Sequence, residues 1–386
     1  MRTLYRLAPL ALAIAATPAL AQESDTADLA QRIDALQQQV NTMSDDRIRF
    51  NGFMSTGYAR ASNDAGFAGI TESTDVYDLS LMALQASFDI TDKTQAVMQI
   101  VGRGAEDWDP SMEWAYLSYR PTNDWQLRAG KMRIPLFMYS DFLEVGYAQP
   151  WARPPEAFYG QTTSTQVGVD AQHTYNLDNS SITTQVFAGF VEDEAQGAEV
   201  DVRNHGGVSV AWTDYTWTLR GVYATGELTL NAGPFQLEDE RSDYVGVGLS
   251  FDNGDWLVSA EASRTEIDGY YTDKDAAYLS VGHRFGSLTP YAVVGWVRSQ
   301  DNDKRDGLYL PTGDPMRPAP ASVLNTRRDE YSLGLRWDVT PGIAIKGDVT
   351  HARGFEGAAG GLNAEYVMAD KSDSTNVYTF KIDAAF

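Results

Sequence analysis

The side chains of this chain that could do chemistry are charged groups standing opposite the apolar faces of short alternating segments. The basic members are Arg49, Arg128, Arg220, Arg284, Arg336, Lys346 and Lys381, and the acidic members are Asp170, Glu261, Asp338, Asp348 and Asp383. If each segment is a β-strand, these side chains share one face of a sheet, because alternate residues point to opposite faces. Facing rows of opposite charge create a transverse field that favours charged or dipolar solutes. The pattern predicts a surface that filters charge.

Catalytic chemistry has no comparable support in the sequence. The chain has no cysteine, which excludes thiolate nucleophiles, cysteine metal sites and disulfides. The histidines His173, His205, His283 and His351 fall on separate predicted strands, without Gly-x-Ser-x-Gly or His-Glu-x-x-His spacing. We therefore expect no catalytic residues, no metal site and no cofactor, and we predict that the chain is not an enzyme.

The net charge restricts the partners. A formal charge of -23 disfavours nucleic acid, because phosphate binding needs clustered Lys and Arg. Acidic side chains concentrate in the predicted long loops at Glu192-Asp193-Glu194, Glu238-Asp239-Glu240 and Asp301-Asn302-Asp303. We interpret them as solvated loop tips. Bridging to surface lipid through divalent cations is the alternative.

The N-terminus has the composition of a targeting segment. Arg2 and Arg6 give a positive start, an apolar run extends from Leu7 to Ala16, and Ala19-Leu20-Ala21 offers a small-x-small cleavage site. The run is too short to span a bilayer, so the pattern predicts a signal peptide at residues 1–21 rather than a retained anchor. No later stretch approaches about 18 consecutive apolar residues, which excludes helical membrane spans.

A short helix is predicted at residues 22–46, before the first strand. Its apolar positions recur with heptad spacing, at Leu29, Ile33, Leu36, Val40 and Met43. So few heptads are too short for a stable coiled coil alone, but an oligomer would bring several N-termini together. We predict a periplasmic coiled coil of a trimer, with an unstructured periplasmic tail as the alternative.

The rest of the chain, residues 47–386, alternates apolar and polar side chains in segments of about ten residues, joined alternately by tight turns and long polar loops. This pattern predicts an all-β transmembrane antiparallel barrel of about sixteen strands, with fourteen or eighteen strands as the alternatives, and with periplasmic turns and extracellular loops. The predicted strands are 47–60, 76–90, 93–104, 112–120, 125–133, 163–176, 181–191, 203–213, 216–227, 243–252, 255–266, 276–286, 289–299, 328–339, 343–354 and 374–386. A barrel of this size leaves an aqueous channel.

The last predicted strand ends on an aromatic residue, Phe386, at the C-terminus. Tyr378, Phe380, Ile382 and Ala384 share its apolar face. A final strand must pair with the first to close a barrel. The terminal Phe386 also resembles the recognition signal that the barrel assembly machinery reads in outer-membrane proteins.

One long connection, at about residues 134–160, is apolar, aromatic and proline-rich, unlike the acidic loops. Because such a segment would be insoluble in water, we predict that it folds inward against the barrel wall and narrows the channel. Arg133 and Arg153 make this constriction positive, and Asp141, Glu144 and Glu156 oppose them.

Here the chain resembles the sixteen-stranded trimeric porins of Gram-negative bacteria, and most of all the phosphate-type and dicarboxylate-type substrate porins. The resemblance rests on Gly130-Lys131-Met132-Arg133-Ile134-Pro135-Leu136, on Arg153-Pro154-Pro155-Glu156 and on the terminal Phe386. It implies a homotrimer in the outer membrane, in contact with lipid and lipopolysaccharide. Phosphate-specific members carry a lysine-rich loop and an arginine ladder, whereas the middle of this loop has only Arg153, so the resemblance does not extend to phosphate specificity.

The expected function is passive diffusion of small hydrophilic solutes through a water-filled channel. Charges in a narrow passage act more strongly than charges on exposed loops, because dissolved salt screens the exposed charges. The basic side chains of the lumen therefore predict a weak preference for anions, in particular small carboxylates. The alternative for each arginine is a structural ion pair with a neighbouring carboxylate, as for Arg336 beside Lys346 and Asp348 across the Thr340-Pro341-Gly342 hairpin. A structural or adhesive barrel, or less plausibly a barrel-embedded hydrolase, is the alternative for the whole chain.

Overall fold

The computed structural model describes residues 47–73, 76–160, 165–195, 198–232, 235–310, 319–358, 360–362 and 373–386. The predicted signal peptide and the heptad helix at residues 22–46 lie outside these described residues.

The described chain is dominated by antiparallel strands. Their bounds are β1 (Ile48–Ala61), β2 (Leu81–Thr91), β3 (Thr94–Arg103), β4 (Pro110–Tyr119), β5 (Trp125–Arg133), β6 (Thr165–Asn176), β7 (Ser181–Ala195), β8 (Ala198–Thr213), β9 (Trp217–Ala232), β10 (Phe235–Asp252), β11 (Trp256–Ile267), β12 (Lys274–His283), β13 (Leu288–Ser299), β14 (Tyr309–Leu310), β15 (Ala319–Pro320), β16 (Arg327–Thr340), β17 (Ile343–Arg353) and β18 (Ser374–Ala385). A short helix, α1, spans Glu156–Tyr159. Sixteen of the strands form one closed barrel, and β14 pairs with β15 in a separate two-stranded sheet. The predicted strand number and antiparallel barrel are confirmed.

The barrel closes between its first and last strands. β18 runs antiparallel to β1, with Phe53 opposite Ala385 and Ala61 opposite Val377. The terminal residue continues the ladder: Gly52 N donates to Phe386 O at 2.8 Å, and Phe386 N donates to Gly52 O at 2.9 Å. Closure leaves no unpaired edge along this seam, so the sheet offers no template for pairing with another chain there.

The surface is inside-out compared with that of a soluble protein. On β16, inward-facing Glu330 is 1% exposed, whereas outward-facing Leu333 is 71% exposed. Inward Lys346 and outward Val169 repeat the contrast on other strands, at 0% and 56%. A barrel with a polar interior and an apolar exterior is stable when lipid hydrocarbon surrounds its outer face. The barrel is therefore embedded in a membrane.

Strands β7 to β10 extend further on their long-loop side than the sequence predicts. The predicted ranges 181–191, 203–213, 216–227 and 243–252 omit segments in which Glu194 pairs opposite Glu199 and Leu230 opposite Leu237. These segments are rich in acidic residues, so the sequence predicts them as loops. Backbone pairing needs no apolar alternation where both faces of a hairpin meet water, so the ladders continue past the alternating region.

The tight turns gather at the opposite end of the barrel. Polar side chains fold them locally: Asp214 and Asn253 each accept backbone N–H groups of the next residues. Gly254 follows with φ +93°, a conformation that favours glycine. Short turns at one end and long connections at the other place residues 134–160 on the long-loop side.

Among the described residues, no helix is both long enough and apolar enough to cross a bilayer.

Candidate functional site

Residues 134–160 lie inside the barrel, and we call them the inner loop. The apolar residues of the loop pack against inward-facing side chains of the wall. The cluster contains Ile134, Leu136, Phe137, Trp151, Ala157, Phe158 and Tyr159 from the inner loop, and Phe187, Val191, Val222, Ala224, Tyr244, Ala276, Tyr278, Tyr291, Val293 and Val297 from the wall. Burial of this apolar surface favours the inward position over one in water.

Hydrogen bonds orient the inner loop against strands β11, β12 and β16. Glu261 on β11 accepts the backbone N–H of Met138 at 2.8 Å and the Tyr159 hydroxyl. Trp151 Nε1 donates to Ser280 Oγ at 2.7 Å, and Ala157 N donates to Glu330 Oε2 at 3.0 Å. The wall carboxylates therefore satisfy loop N–H groups that water cannot reach.

Between these anchors the inner loop crosses the lumen to strands β1, β3 and β18. Glu144 receives Arg103 Nε at 2.5 Å and a hydrogen bond from Arg133. Arg133 also lies 3.3 Å from Glu113 of β4. The arrangement is an alternating network of two arginines and two glutamates.

Gly146 rests directly on the far wall. Its carbonyl accepts Lys346 Nζ at 2.6 Å, and Lys346 is ion-paired with Asp383 at 2.8 Å. Both side chains are fully buried, and Ser55 Oγ donates to Asp383 at 2.6 Å. A Cβ on Gly146 would lie 2.0 Å from Asp383 Oδ1, so only glycine fits.

Two lumen arginines bind backbone carbonyls of the inner loop. Arg220 on β9 donates to Leu136 O at 2.9 Å and to Pro135 O. Arg336 on β16 donates to Tyr147 O and Gln149 O, both at 2.7 Å. Arginine suits this role because its planar group presents several donors at once. These bonds fix both the beginning and the middle of the loop.

Partly exposed inward side chains on β5, β6 and β9, beside the middle of the inner loop, indicate where open space remains, whereas other inward residues of β7 and β9 belong to the apolar cluster of the loop. Inward side chains of β17 and β18, such as Lys346 and Asp383, are buried under the loop, whereas Arg128, Gln172 and Arg220 remain partly exposed. On the loop side, Asp141 and Phe142 are exposed, and Asp141 lies close enough to Arg128 and Arg220 to act on both electrostatically. We call this gap the constriction.

Three of the predicted site residues lie away from the constriction. Arg284 lies at the tight-turn end, where it pairs with Asp252 at 2.6 Å and donates to Gly254 O at 3.1 Å. Arg153 faces the long-loop end and donates to Ala68 O at 3.4 Å, and Glu156 begins α1. The structure therefore brings together Arg128, Arg133, Asp141, Glu144, Arg220, Arg336 and Lys346 around the crossing loop, but not these three.

Ion pairing is more extensive than the sequence indicates. Arg128 is paired with Asp170. Arg336 is paired with Asp338 at 2.7 Å, on its own strand, and Asp348 instead accepts the Tyr291 hydroxyl at 2.9 Å. Residues two apart on a strand share a face, so a same-strand partner competes with the cross-strand one. Most lumen arginines are thus neutralised locally.

Sequence reasoning missed two features of the lumen. Arg103 and Glu113 belong to the Glu144 network; a register shift in the β3–β4 ladder beside Glu113 obscures the alternation there.

A second connection, between β1 and β2, also packs inward: Phe67 and Ile70 are buried against inward residues of β1, β17 and β18. Phe67 between Gly66 and Gly69, and Ile70 directly after Gly69, are apolar residues in an otherwise polar loop and were the available sign of it.

The histidines remain apart in the structure. His173 stacks near Trp125 with ring centroids 4.6 Å apart, and His283 near Trp256 at 4.5 Å. His205 lies beside Phe187, and His351 Nδ1 is 2.9 Å from Asn376 Oδ1. In the part of the chain that the structure describes, no group of three or more histidine or acidic side chains is placed to hold a metal ion.

Comparison with known proteins bears on the fold. No protein-family model and no curated protein sequence matches this chain. Among solved structures, the anion-selective porin from Comamonas acidovorans matches with a TM-score of 0.58 at 14% identity, covering 88% of this chain and 99% of that one. The outer-membrane channel DcaP of Acinetobacter baumannii gives 0.56 at 11% identity, with 88% and 97% covered. In-vitro-folded OmpT of Vibrio cholerae, in a trimer form, gives 0.55 at 12% identity, with 88% and 99% covered. The chain therefore has the porin fold.

Proposed function

We propose that this protein is an outer-membrane porin of a Gram-negative bacterium that lets small hydrophilic solutes diffuse passively. The observation that carries the proposal is the inner loop, which crosses the lumen and leaves a solvent-accessible constriction beside Asp141, Arg128 and Arg220. Such an arrangement narrows a wide barrel without blocking it, and its facing charges orient polar solutes. No catalytic role is proposed for any residue.

We also propose a weak preference for anions, in particular carboxylates. Arg128 is offset by Asp170, and Arg336 by Asp338. Arg220 donates to the Leu136 and Pro135 carbonyls rather than to a carboxylate, and Glu261 and Asp141 lie near enough to act on it electrostatically. The anion-selective porin among the similar structures is consistent with this preference.

Reconstitution in a planar bilayer tests the channel and its selectivity. The wild-type protein should give stepwise conductance and a reversal potential that indicates weak anion preference in a salt gradient. Arg220→Gln should lower the anion-to-cation permeability ratio about twofold, and Asp141→Asn should raise it by a similar factor, because each removes one charge from a narrow passage. Clear cation preference in the wild type would overturn the selectivity. Absence of steps would favour a structural or adhesive barrel.

The further assignments follow from the same proposal. The outer-membrane protein of Vibrio cholerae described in a trimer form supports a homotrimer here. The signal peptide at residues 1–21 and a periplasmic coiled coil at 22–46 would then precede the barrel at 47–386. The apolar exterior would contact membrane lipid, and the acidic extracellular loops would lie beside lipopolysaccharide. The barrel assembly machinery would insert the chain.

The role of Phe386 in assembly can be tested separately. Deleting Phe386 removes its two backbone hydrogen bonds to Gly52, a loss of about 2 kcal/mol, and also removes the aromatic terminus. We expect less folded, heat-modifiable barrel in outer-membrane fractions. Phe386→Tyr keeps both features and is the control. Equal yields of the deletion and the wild type would contradict the assignment.

A further inference from the structure

Glu144 is the point at which the crossing part of the inner loop is held to the wall of β3 to β5. Its two carboxylate oxygens are divided between two arginines: Oε1 accepts Arg103 Nε at 2.5 Å, and Oε2 accepts Arg133. Arg103 reaches Glu113 with another nitrogen, at 2.5 Å. The Glu144 and Arg103 side chains are 17% and 19% exposed and Arg133 only 5%, so water screens these pairs poorly.

The location of Glu144 in the chain gives this network its importance. It lies three residues after Asp141 and two before Gly146, which contacts β1, β17 and β18. Val145, between the two contacts, packs against the cluster of Phe53, Ala83 and Val101. The segment carrying Asp141 and Phe142 is therefore suspended between Glu144 on one side and the Met138–Glu261 bond on the other. The contacts of Glu144, together with the Gln149 side chain, which donates to Phe142 O at 3.2 Å and to Leu143 O at 2.6 Å, therefore determine how far Asp141 reaches into the constriction.

Loss of the Glu144 charge would not be compensated by neighbouring groups. Arg103 and Arg133 would then face Glu113 together, and the remaining acid near Arg103 is Glu106, which lies 3.4 Å away with a half-exposed side chain. Two arginines sharing one buried carboxylate repel each other, so the wall would no longer attract the loop.

We propose that Arg103, a residue outside the constriction, is a positioning residue that acts through Glu144 to set the free cross-section of the pore. Arg133 completes the site by holding the second oxygen of Glu144. This inference rests on the proposed channel function. We call the Arg103–Glu144–Arg133 ion pairs the latch. The proposal is that this latch, rather than the length of the inner loop, determines the width of the passage.

The test compares Glu144→Gln, Arg103→Gln and the double variant in planar bilayers. Both single variants should loosen the latch and raise single-channel conductance, Glu144→Gln about twofold and Arg103→Gln by less, because Arg133 still holds the second oxygen of Glu144 in the Arg103 variant. Their selectivity should move in opposite directions, since Glu144→Gln adds net positive charge and Arg103→Gln removes it. The double variant should conduct no more than Glu144→Gln, because Arg103 acts through its contact with Glu144, and its reversal potential should return towards that of the wild type.

Asp275→Asn is the matched control, because it neutralises an Arg–carboxylate pair with Arg264 on the outside of the barrel. It should leave conductance and reversal potential at the wild-type values. Thermal unfolding of every variant separates a folding defect from a change of the pore, since a merely structural pair would lower the unfolding temperature and leave the conductance of folded channels unchanged. Wild-type conductance in folded Glu144→Gln or Arg103→Gln channels, or conductances that add in the double variant, would overturn the proposal. Absence of steps in the wild type would overturn the channel function instead.

Discussion

Gly146→Ala is expected to dislodge the inner loop from the far wall. The added Cβ would lie 2.0 Å from Asp383 Oδ1, 2.6 Å from its Cγ and 2.9 Å from Ser55 Oγ. Either the loop must retreat or the buried Lys346–Asp383 pair must separate, and disrupting a buried pair typically costs about 3–5 kcal/mol. We expect a lower midpoint for denaturant unfolding in detergent and a larger or unstable single-channel conductance.

Gly221→Ala is the control for this substitution. Gly221 lies in β9, and a Cβ there would meet no atom within 4 Å. The methyl group should leave stability near the wild-type value, or raise it slightly, since alanine restricts the unfolded chain. If Gly146→Ala behaves like Gly221→Ala in both measurements, the inner loop does not rest on Asp383.

Trp151→Ala should have an effect of similar size through packing. Trp151 is 1% exposed, and its ring meets Tyr139 and Tyr278 edge-to-face, with centroids 5.2 Å and 5.8 Å apart. Truncation would leave a cavity and would free Ser280 Oγ from its hydrogen bond with the indole. Large aromatic truncations in packed cores cost about 3–5 kcal/mol. The unfolding midpoint should fall, and protease should cleave the inner loop of the folded barrel.

Trp256→Ala provides the comparison at an exposed site. Trp256 is 47% exposed on the outer face, where detergent or lipid takes the place of packed protein. Its replacement should shift the midpoint much less and should leave the inner loop resistant to protease. Equal shifts for the two variants would contradict a packed core between loop and wall.

Much of the barrel architecture could be predicted from the amino-acid sequence. Alternation determines the face of each residue, because the side-chain period of a strand is two. Tight turns such as Asn253-Gly254 determine where strands reverse. A number of about sixteen strands therefore followed from the sequence, and the structure has sixteen in the barrel; the apolar composition of residues 134–160 likewise indicated a segment that must be shielded from water. Both properties are local, so the sequence alone determines them.

The charge pattern of the pore was decided by the tertiary structure. Alternation says that Arg336 and Glu261 face inward, but it does not say that Arg336 binds Asp338 and the loop carbonyls, or that Glu261 binds Met138 N. Bulges also shift the alternation, which hid the role of Arg103 beside Glu113. Which charge is offset depends on contacts between residues far apart in the chain, and these are set by how the inner loop crosses the lumen. The sequence by itself determined a polar-lined barrel, and the three-dimensional packing alone decided which of its charges remain free to meet a solute.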